Sequence, residues 1–182
     1  MVPLKGKQEL PIVLVKQPLP GGFPDTPMKK TILLVEDSKA QKLASERILH
    51  WAGYLVLFAE DGEEALRLAG ECLPDLILLD LVLPGIGGEE VLYELKRNHT
   101  TQRIPVIMLS QLPPDNSGKL EAAGAASYFE KSRLTHDGGG EADLLATIDS
   151  VLRKSEAAHA ATDKRPPRSD HGQPPWGAIR GK

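Results

Sequence analysis

In the sequence ILLVEDSK, residues 32–39, four apolar residues run directly into two neighbouring carboxylates, Glu36 and Asp37. An unbroken apolar run of this kind is typical of a strand that is buried on both faces. Adjacent acids repel each other, and burying even one carboxylate costs several kcal/mol unless a partner neutralises it. The pair is therefore either solvated or placed beside a positive charge.

Four further apolar runs follow the first, and segments of helical period separate them. Strands that alternate with helices predict an α/β domain of the (βα)5 type, with a parallel sheet covered by helices on both faces and right-handed crossovers. The five predicted strands are TILLV (31–35), YLVLF (54–58), DLILLD (75–80), PVIML (105–109) and ASYFE (126–130).

The first predicted helix carries an apolar stripe at spacings of three and four, and Gly53 follows it as a C-terminal stop. This spacing predicts that Trp51 lies in the core. Asp61 is predicted to cap the second helix. A short fourth helix is expected around residues 120–123. The stripe of the first helix consists of Ala40, Leu43, Ala44, Ile48 and Trp51.

The two ends of the chain differ in composition from the middle. Of 15 prolines, six lie in residues 1–27 and four in residues 166–175, so both ends are predicted to be tails. We therefore expect a flexible Pro-rich extension over residues 1–29, one domain over residues 30–154, and a disordered Pro-rich tail over residues 155–182. The middle carries 13 Lys and Arg against 20 Asp and Glu, a net charge of −7, which argues against direct DNA or RNA binding.

Cysteine content and hydropathy bear on the compartment. Cys72 is the single cysteine of the sequence, so an internal disulfide is excluded and a reducing compartment is favoured. The apolar run PIVLV, residues 11–15, is too short for a signal-peptide core or a membrane span. These features predict a cytoplasmic protein without a membrane partner.

Polar residues follow four of the predicted strands. In a parallel sheet, ligands collect at the carboxyl ends of the strands, so these residues are expected to converge at one edge. Three carboxylates and one lysine suit a hard cation, and Mg2+ fits better than Ca2+, which takes more protein oxygens, or Zn2+, because the five histidines show no ligand spacing. The converging residues are Glu36, Asp37, Asp80, Ser110 and Lys131.

The motifs LLVEDS, LILLDLVLPGIGG, VIMLS and SYFEKS, in this order and spacing, resemble the receiver domain of two-component response regulators. The resemblance implies a flavodoxin-like sheet with strand order 2-1-3-4-5. It also implies that Asp80 is phosphorylated by a histidine kinase or a histidine phosphotransfer protein. Asp37 and Asp80 would then ligate Mg2+ directly, Glu36 through water, and Val82 through its backbone carbonyl.

The chemistry of phosphoryl transfer gives Asp80, Lys131 and Ser110 their roles independently of the resemblance, which adds Tyr128 as a switch residue. In-line attack on a phosphoryl group needs an exposed oxygen of Asp80 beside the metal. Lys131 and Ser110 would stabilise charge on the phosphoryl oxygens. Ser110 and Tyr128 would form the switch that remodels the fourth helix, fifth strand and fifth helix, where an output protein would dock.

The sequence also departs from the family pattern. Ser132 follows Lys131 where the family has a cis proline, and a cis bond before a residue other than proline costs roughly 3 kcal/mol, so a trans bond is possible here. Gly87 replaces the usual polar cap of the third helix. The loop LTHDGGGEA (134–142) is longer and richer in glycine than the family pattern, and LPPDNSG (112–118) shortens the fourth helix. Val82 and Leu112 are apolar where a polar side chain could orient water, which predicts a long-lived phosphate.

Three functions remain open on these residues. The favoured one is a stand-alone receiver that takes up phosphoryl on its own aspartate, turns over no separate substrate, and signals by protein contact or phosphate relay. The second is a phosphorylation-independent, receiver-like interaction module. The third, a magnesium phosphohydrolase of the haloacid dehalogenase type, is disfavoured because its D-x-D pattern is replaced by adjacent acids.

Overall fold

The computed structural model describes residues 29–111, 117–134 and 139–162. Strands and helices alternate along this part of the chain as predicted. The strands are β1 (Thr31–Val35), β2 (Leu55–Ala59), β3 (Leu76–Asp80), β4 (Val106–Ser110) and β5 (Ser127–Glu130). The helices are α1 (Lys39–Trp51), α2 (Gly62–Cys72), α3 (Gly88–Arg97), α4 (Ser117–Ala122) and α5 (Gly139–Thr162), with a 3-10 turn, η1, over Lys131–Leu134.

All five strands form one parallel sheet in the order β2-β1-β3-β4-β5. This confirms the predicted flavodoxin-like (βα)5 architecture. The register pairs Leu33 of β1 with Leu57 of β2 and with Ile77 of β3. Every residue of β3 and β4 is buried, which explains why their sequences show unbroken apolar runs instead of an alternating pattern.

Helices cover both faces of the sheet, and each face has its own hydrophobic cluster. One cluster joins the sheet to α1 and α5, and it includes Leu34, Leu49, Leu144, Ile148 and Leu152. The other joins the sheet to α2, α3 and α4, and it includes Leu33, Ala65, Val91, Leu92 and Leu120. The core therefore lies in two layers, and the edges of the sheet are left for polar groups.

Two local signals determine where the first two helices meet their loops. Asp61 accepts a hydrogen bond from the backbone N–H of Glu64 at 2.8 Å, so the predicted N-cap of α2 is confirmed. Gly53 follows α1 with φ +86, a left-handed conformation that glycine adopts without a Cβ penalty. Gly53 therefore marks the end of α1 before β2, and Asp61 marks the start of α2 after it.

The prediction that Trp51 lies in the core is wrong, because 88% of its surface is exposed. Leu43, in the same predicted stripe, is 68% exposed. The buried face of α1 is instead formed by Ser45, Ile48 and Leu49. Ile48 belongs both to the predicted apolar stripe and to the buried face. The helical period alone therefore did not determine which face packs against the sheet.

Replacing Trp51 by Gln is expected to change the free energy of unfolding by less than about 0.5 kcal/mol, as is usual for an exposed position. As the matched control, Leu49→Ala two positions earlier should cost about 2–5 kcal/mol, because Leu49 is fully buried. Urea denaturation measures both. A loss above about 2 kcal/mol for Trp51→Gln would mean that the indole packs against another part of the chain.

The fifth helix extends to Thr162, past the domain end predicted at residue 154. The prediction of a disordered tail is therefore wrong for residues 155–162. This segment is rich in alanine, which has the highest helix propensity. In addition, Glu156 forms an ion pair of 2.8 Å with Lys30 at the start of β1.

The remaining predictions for the ends and loops fall on residues 1–28, 112–116, 135–138 and 163–182, which lie outside the described residues. Within the described part of the chain, no helix has the length and the hydropathy needed to cross a bilayer.

Candidate functional site

The carboxyl ends of the strands bring the predicted polar residues to one edge of the sheet. Glu36 directly follows β1, Asp80 ends β3, and Ser110 ends β4. The parallel register pairs Asp80 with Leu109 and Ser110 with Glu130, so Lys131, the residue after β5, reaches the same edge. The convergence arises because each strand ends at a similar level of the sheet.

Three carboxylates form a cluster at this edge. Glu36, Asp37 and Asp80 each offer an oxygen atom, and these oxygens lie within 4.8 Å of one another. Glu36 is 2% exposed and Asp80 is 6% exposed, whereas Asp37 is open to solvent. In the ranges that the structure describes, this is the one group of acidic, histidine or cysteine side chains close enough to share a metal ion.

Lys131 supplies the positive charge beside Glu36, the buried member of the carboxylate pair, while Asp37 is solvated. Its Nζ donates to Oε2 of Glu36 and to Oδ2 of Asp80, each at 2.5 Å. The Lys131 side chain is itself buried, with 7% exposure, so the two buried carboxylates share one buried cation. Three acids against one lysine leave the cluster with an excess of negative charge, which favours binding of a further cation.

Burial and hydrogen bonding have opposite effects on the pKa of the Glu36 carboxyl group. Burial raises the pKa of the Glu36 carboxyl above its usual range, while the hydrogen bond from Lys131 works against this rise. The backbone N–H of Ser38 also donates to Oε1 of Glu36, at 3.2 Å. Both oxygens of this carboxylate are therefore already engaged by protein donors.

Asp80 is more buried than the sequence predicts. An exposed carboxylate oxygen is expected for a nucleophile, but β3 lies at the centre of the sheet and 6% of the residue's surface is exposed. The backbone N–H of Val82 donates to Oδ1 at 3.2 Å, and Lys131 holds Oδ2. The carboxylate is thus fixed in orientation at the floor of the site.

Gly88 is a structural requirement of the site that the sequence analysis missed. Its N–H donates to the carbonyl of Leu81 at 3.1 Å, which closes the loop between β3 and α3. A Cβ on Gly88 would lie 2.1 Å from the carbonyl oxygen of Asp80, so only glycine fits. Gly87, the N-cap of α3, makes no side-chain cap bond, as its identity predicts. The signal was present in the paired glycines of GIGGEE.

The other predicted site residues lie near the cluster of Glu36, Asp37, Asp80 and Lys131 or on the neighbouring strand β5. Val82 is 75% exposed, and Ser110 is buried at the end of β4. Tyr128 pairs with Met108 across the sheet and is half-buried against the cluster on the α2, α3 and α4 side. No cis peptide occurs in the described residues, so the Lys131–Ser132 bond is trans. Leu112 lies outside the described residues.

The donor set fits Mg2+. Carboxylate oxygens are hard ligands, and Mg2+ is typically held by one or two carboxylates while keeping several waters. The cluster offers one open carboxylate, Asp37, beside the fixed oxygens of Asp80. It contains neither the histidine nor the cysteine ligands that zinc sites use.

A doubly wound parallel sheet with an acidic, lysine-bridged cluster at the carboxyl ends of its strands defines a flavodoxin-like α/β domain with a candidate cation site. The chain belongs to the response regulator receiver domain family, whose model matches residues 32–136. Receiver domains are signalling domains of two-component systems. They bind Mg2+ in an acidic pocket and interact with histidine kinases and output proteins.

Three similar proteins illustrate the family. The protein PilH of Pseudomonas aeruginosa is 33% identical over 124 residues, 66% of this chain and 96% of PilH. The phosphate regulon transcriptional regulatory protein PhoB of the same species is 36% identical over 127 residues, 69% of this chain and 53% of PhoB. This chain thus spans about half the length of PhoB.

The third is a solved structure, the receiver domain of a sensor histidine kinase from Pseudomonas aeruginosa. It superimposes with a TM-score of 0.60 at 27% identity and covers 68% of this chain and 98% of that one. That structure holds a magnesium ion coordinated in its active-site cleft.

Proposed function

We propose that this chain is a phosphoacceptor receiver, phosphorylated on Asp80 in the presence of Mg2+ by a histidine kinase or a histidine phosphotransfer protein. The observation that carries this proposal is the fixed carboxylate of Asp80, which lies in the acidic cluster and accepts a hydrogen bond from Lys131 at 2.5 Å. A nucleophile held beside a buried cation is what phosphoryl transfer requires of a protein.

The proposed metal ligands are the oxygens of Asp37 and Asp80 and the backbone carbonyl of Val82, with Glu36 acting through water. The exposure of Asp37 supports its role as a direct ligand, and its oxygen lies within 4.8 Å of oxygens of Glu36 and Asp80. A bound Mg2+ supplies positive charge that neutralises the phosphoryl oxygens.

The proposed step is an in-line displacement at phosphorus. An oxygen of Asp80 forms the new O–P bond, the P–N bond of the donor phosphohistidine breaks, and its electron pair stays on the donor imidazole. Lys131 and the hydroxyl of Ser110 stabilise the phosphoryl oxygens. Lys131 is already at the carboxylate, so little reorganisation is needed.

The proposed output is a switch through Ser110 and Tyr128. Ser110 ends β4, and Tyr128 lies on β5 and packs against the cluster that includes Leu120 of α4. A hydrogen bond from Ser110 to the phosphoryl group would favour a different side-chain position of Tyr128 and thereby remodel the surface formed by α4, β5 and α5, where an output protein would dock.

We propose the cytoplasm as the compartment, since the exposed Cys72 favours reducing conditions.

The second candidate is a receiver-like module that binds partners without phosphorylation. It is favoured by one observation, the low exposure of Asp80 with both of its oxygens engaged. In that case the Lys131 bridge would be a permanent structural element.

Intact-mass spectrometry distinguishes these two functions after the protein has been incubated with acetyl phosphate and Mg2+. The phosphoacceptor gains the mass of one phosphoryl group, and EDTA prevents the gain. A chain that gains no phosphoryl group under these conditions, or from a set of histidine kinases, would be the interaction module instead.

Replacing Val82 by Asn is expected to shorten the lifetime of the phosphate on Asp80. The exposed Val82 side chain offers no hydrogen bond to water, whereas Asn can orient an attacking water molecule. We expect loss of phosphate to be about tenfold faster, less than the ~10²-fold that a well-placed proton-transfer group contributes. The decay of the phosphorylated fraction after removal of the donor measures this. Val82→Ala, which is apolar, is the control, and equal decay rates for Asn and the parent would contradict the prediction.

A further inference from the structure

A cleft of about 420 Å³ lies at the edge of the sheet opposite the acidic cluster. It is bounded by the residues that precede β4 and β5 and by the last turns of α5. A second, adjoining cleft of about 160 Å³ shares part of this lining. The residues common to both are Arg103, Pro105, Ser155 and His159.

The charges of the cleft are not balanced. The two acids of the smaller cleft, Asp75 and Glu156, are both engaged by Lys30, at 3.4 Å and 2.8 Å. Arg103 and Lys154 face the larger cleft, and within the described residues neither forms an ion pair with an acid. The two clefts together carry Lys30, Arg103 and Lys154 against Asp75 and Glu156, a net charge of +1, whereas residues 30–154 as a whole carry −7.

Apart from Ser155 and His159, the rest of the lining of the larger cleft is apolar. Pro105 and Val151 are buried, and Ala126 and Ala158 add methyl groups. A ligand in this cleft would therefore meet positive charge and an apolar surface together, the combination that small-molecule sites use for orientation and for affinity.

One wall of the cleft is made by the extension of α5. In the part of that helix with described side chains, Leu152 is the last buried residue, so the turns after it pack little against the core. The Lys30–Glu156 ion pair joins this extension to the start of β1. The extension thus shapes the cleft although it contributes little to the core.

We propose that this cleft binds a small organic anion, with its acidic group between Arg103 and Lys154 and its apolar body against Pro105 and Val151. The site is separate from the Asp80 cluster, because it lies at the amino ends of β4 and β5, whereas Ser110 and Lys131 lie at their carboxyl ends. The recognised group is an anionic oxygen group, that is, a carboxylate, a sulfonate or a phosphate, since a guanidinium and an ammonium group bind all three.

The test uses 2-naphthoate and its neutral analogue 2-naphthamide, titrated to millimolar concentration against the full-length 15N-labelled chain. Backbone amide shifts locate the binding surface and give the dissociation constants. We expect 2-naphthoate to shift the amides of Arg103, Ala126 and Ser155, and to bind at least several-fold more tightly than 2-naphthamide.

Two variants test the role of charge. Arg103→Gln with Lys154→Gln should weaken 2-naphthoate by about tenfold and leave 2-naphthamide unchanged, in keeping with the modest worth of exposed charge pairs. Arg153→Gln is the matched control, since Arg153 neighbours Lys154 on α5 but is paired with Asp149 outside the cleft. The proposal is overturned if 2-naphthoate shifts none of these amides, or if the double variant binds it as tightly as the parent.

Discussion

Asp80→Asn is expected to abolish phosphoryl uptake from acetyl phosphate and from any kinase that phosphorylates the parent. The amide nitrogen and oxygen of Asn cannot serve as the anionic nucleophile, although the side chain has nearly the same shape. The fold should be retained, because Lys131 keeps its hydrogen bond to Glu36. Intact-mass measurement reports the phosphoryl gain, and circular dichroism reports the fold.

The matched control for this experiment is Asp149→Asn, which makes the same chemical change at an exposed position of α5. It should take up phosphoryl as fast as the parent. If Asp80→Asn gains phosphate as readily as Asp149→Asn, the acceptor is another residue and the proposed function is wrong.

Lys131→Met is expected to have the second large effect, on both activity and stability. Methionine keeps much of the length of the side chain but leaves Glu36 and Asp80 as buried carboxylates without a cation. Removing one partner of a buried ion pair typically costs about 3–5 kcal/mol. Phosphoryl uptake should slow by about 10²–10³-fold, the usual effect of losing one donor to a developing charge.

Magnesium distinguishes the two roles of Lys131. Because Mg2+ would neutralise the same carboxylates, millimolar Mg2+ should restore part of the stability lost in Lys131→Met, measured by urea denaturation, without restoring the rate of phosphoryl uptake. Lys119→Met, at an exposed position of α4, serves as the control and should behave like the parent. A Lys131→Met variant as stable as the parent without Mg2+ would contradict the structural role of the buried bridge.

The sheet could be predicted from the sequence because its strands are buried on both faces. Each predicted strand lies within one residue of the observed one at either end, since unbroken apolar runs are hard to place elsewhere in such a domain. The first helix was harder, because α1 has two apolar faces and only contact with the sheet decides between them. Trp51 therefore lies in solvent while Leu49 is buried.

The convergence of the polar residues at one edge could also be predicted, because strand ends in a parallel sheet lie close together. The contacts between these residues and their burial could not be predicted. The double hydrogen bond of Lys131, the low exposure of Asp80 and the close approach of Gly88 depend on distances between elements far apart in sequence. The cleft near Arg103 and Lys154 depends on the extended α5, which has no apolar period beyond Leu152.

Trapping the acyl phosphate with borohydride tests the assignment of Asp80 most directly. The full-length chain is incubated with acetyl phosphate and Mg2+, reduced with sodium borohydride, digested and sequenced by mass spectrometry. Borohydride reduces an aspartyl phosphate to homoserine, so the modified residue is identified by its mass. We expect homoserine at position 80 and at no other aspartate, and none when EDTA replaces Mg2+. Homoserine at Asp37 or elsewhere, or an unmodified Asp80 in protein that has gained phosphate, would contradict the assignment.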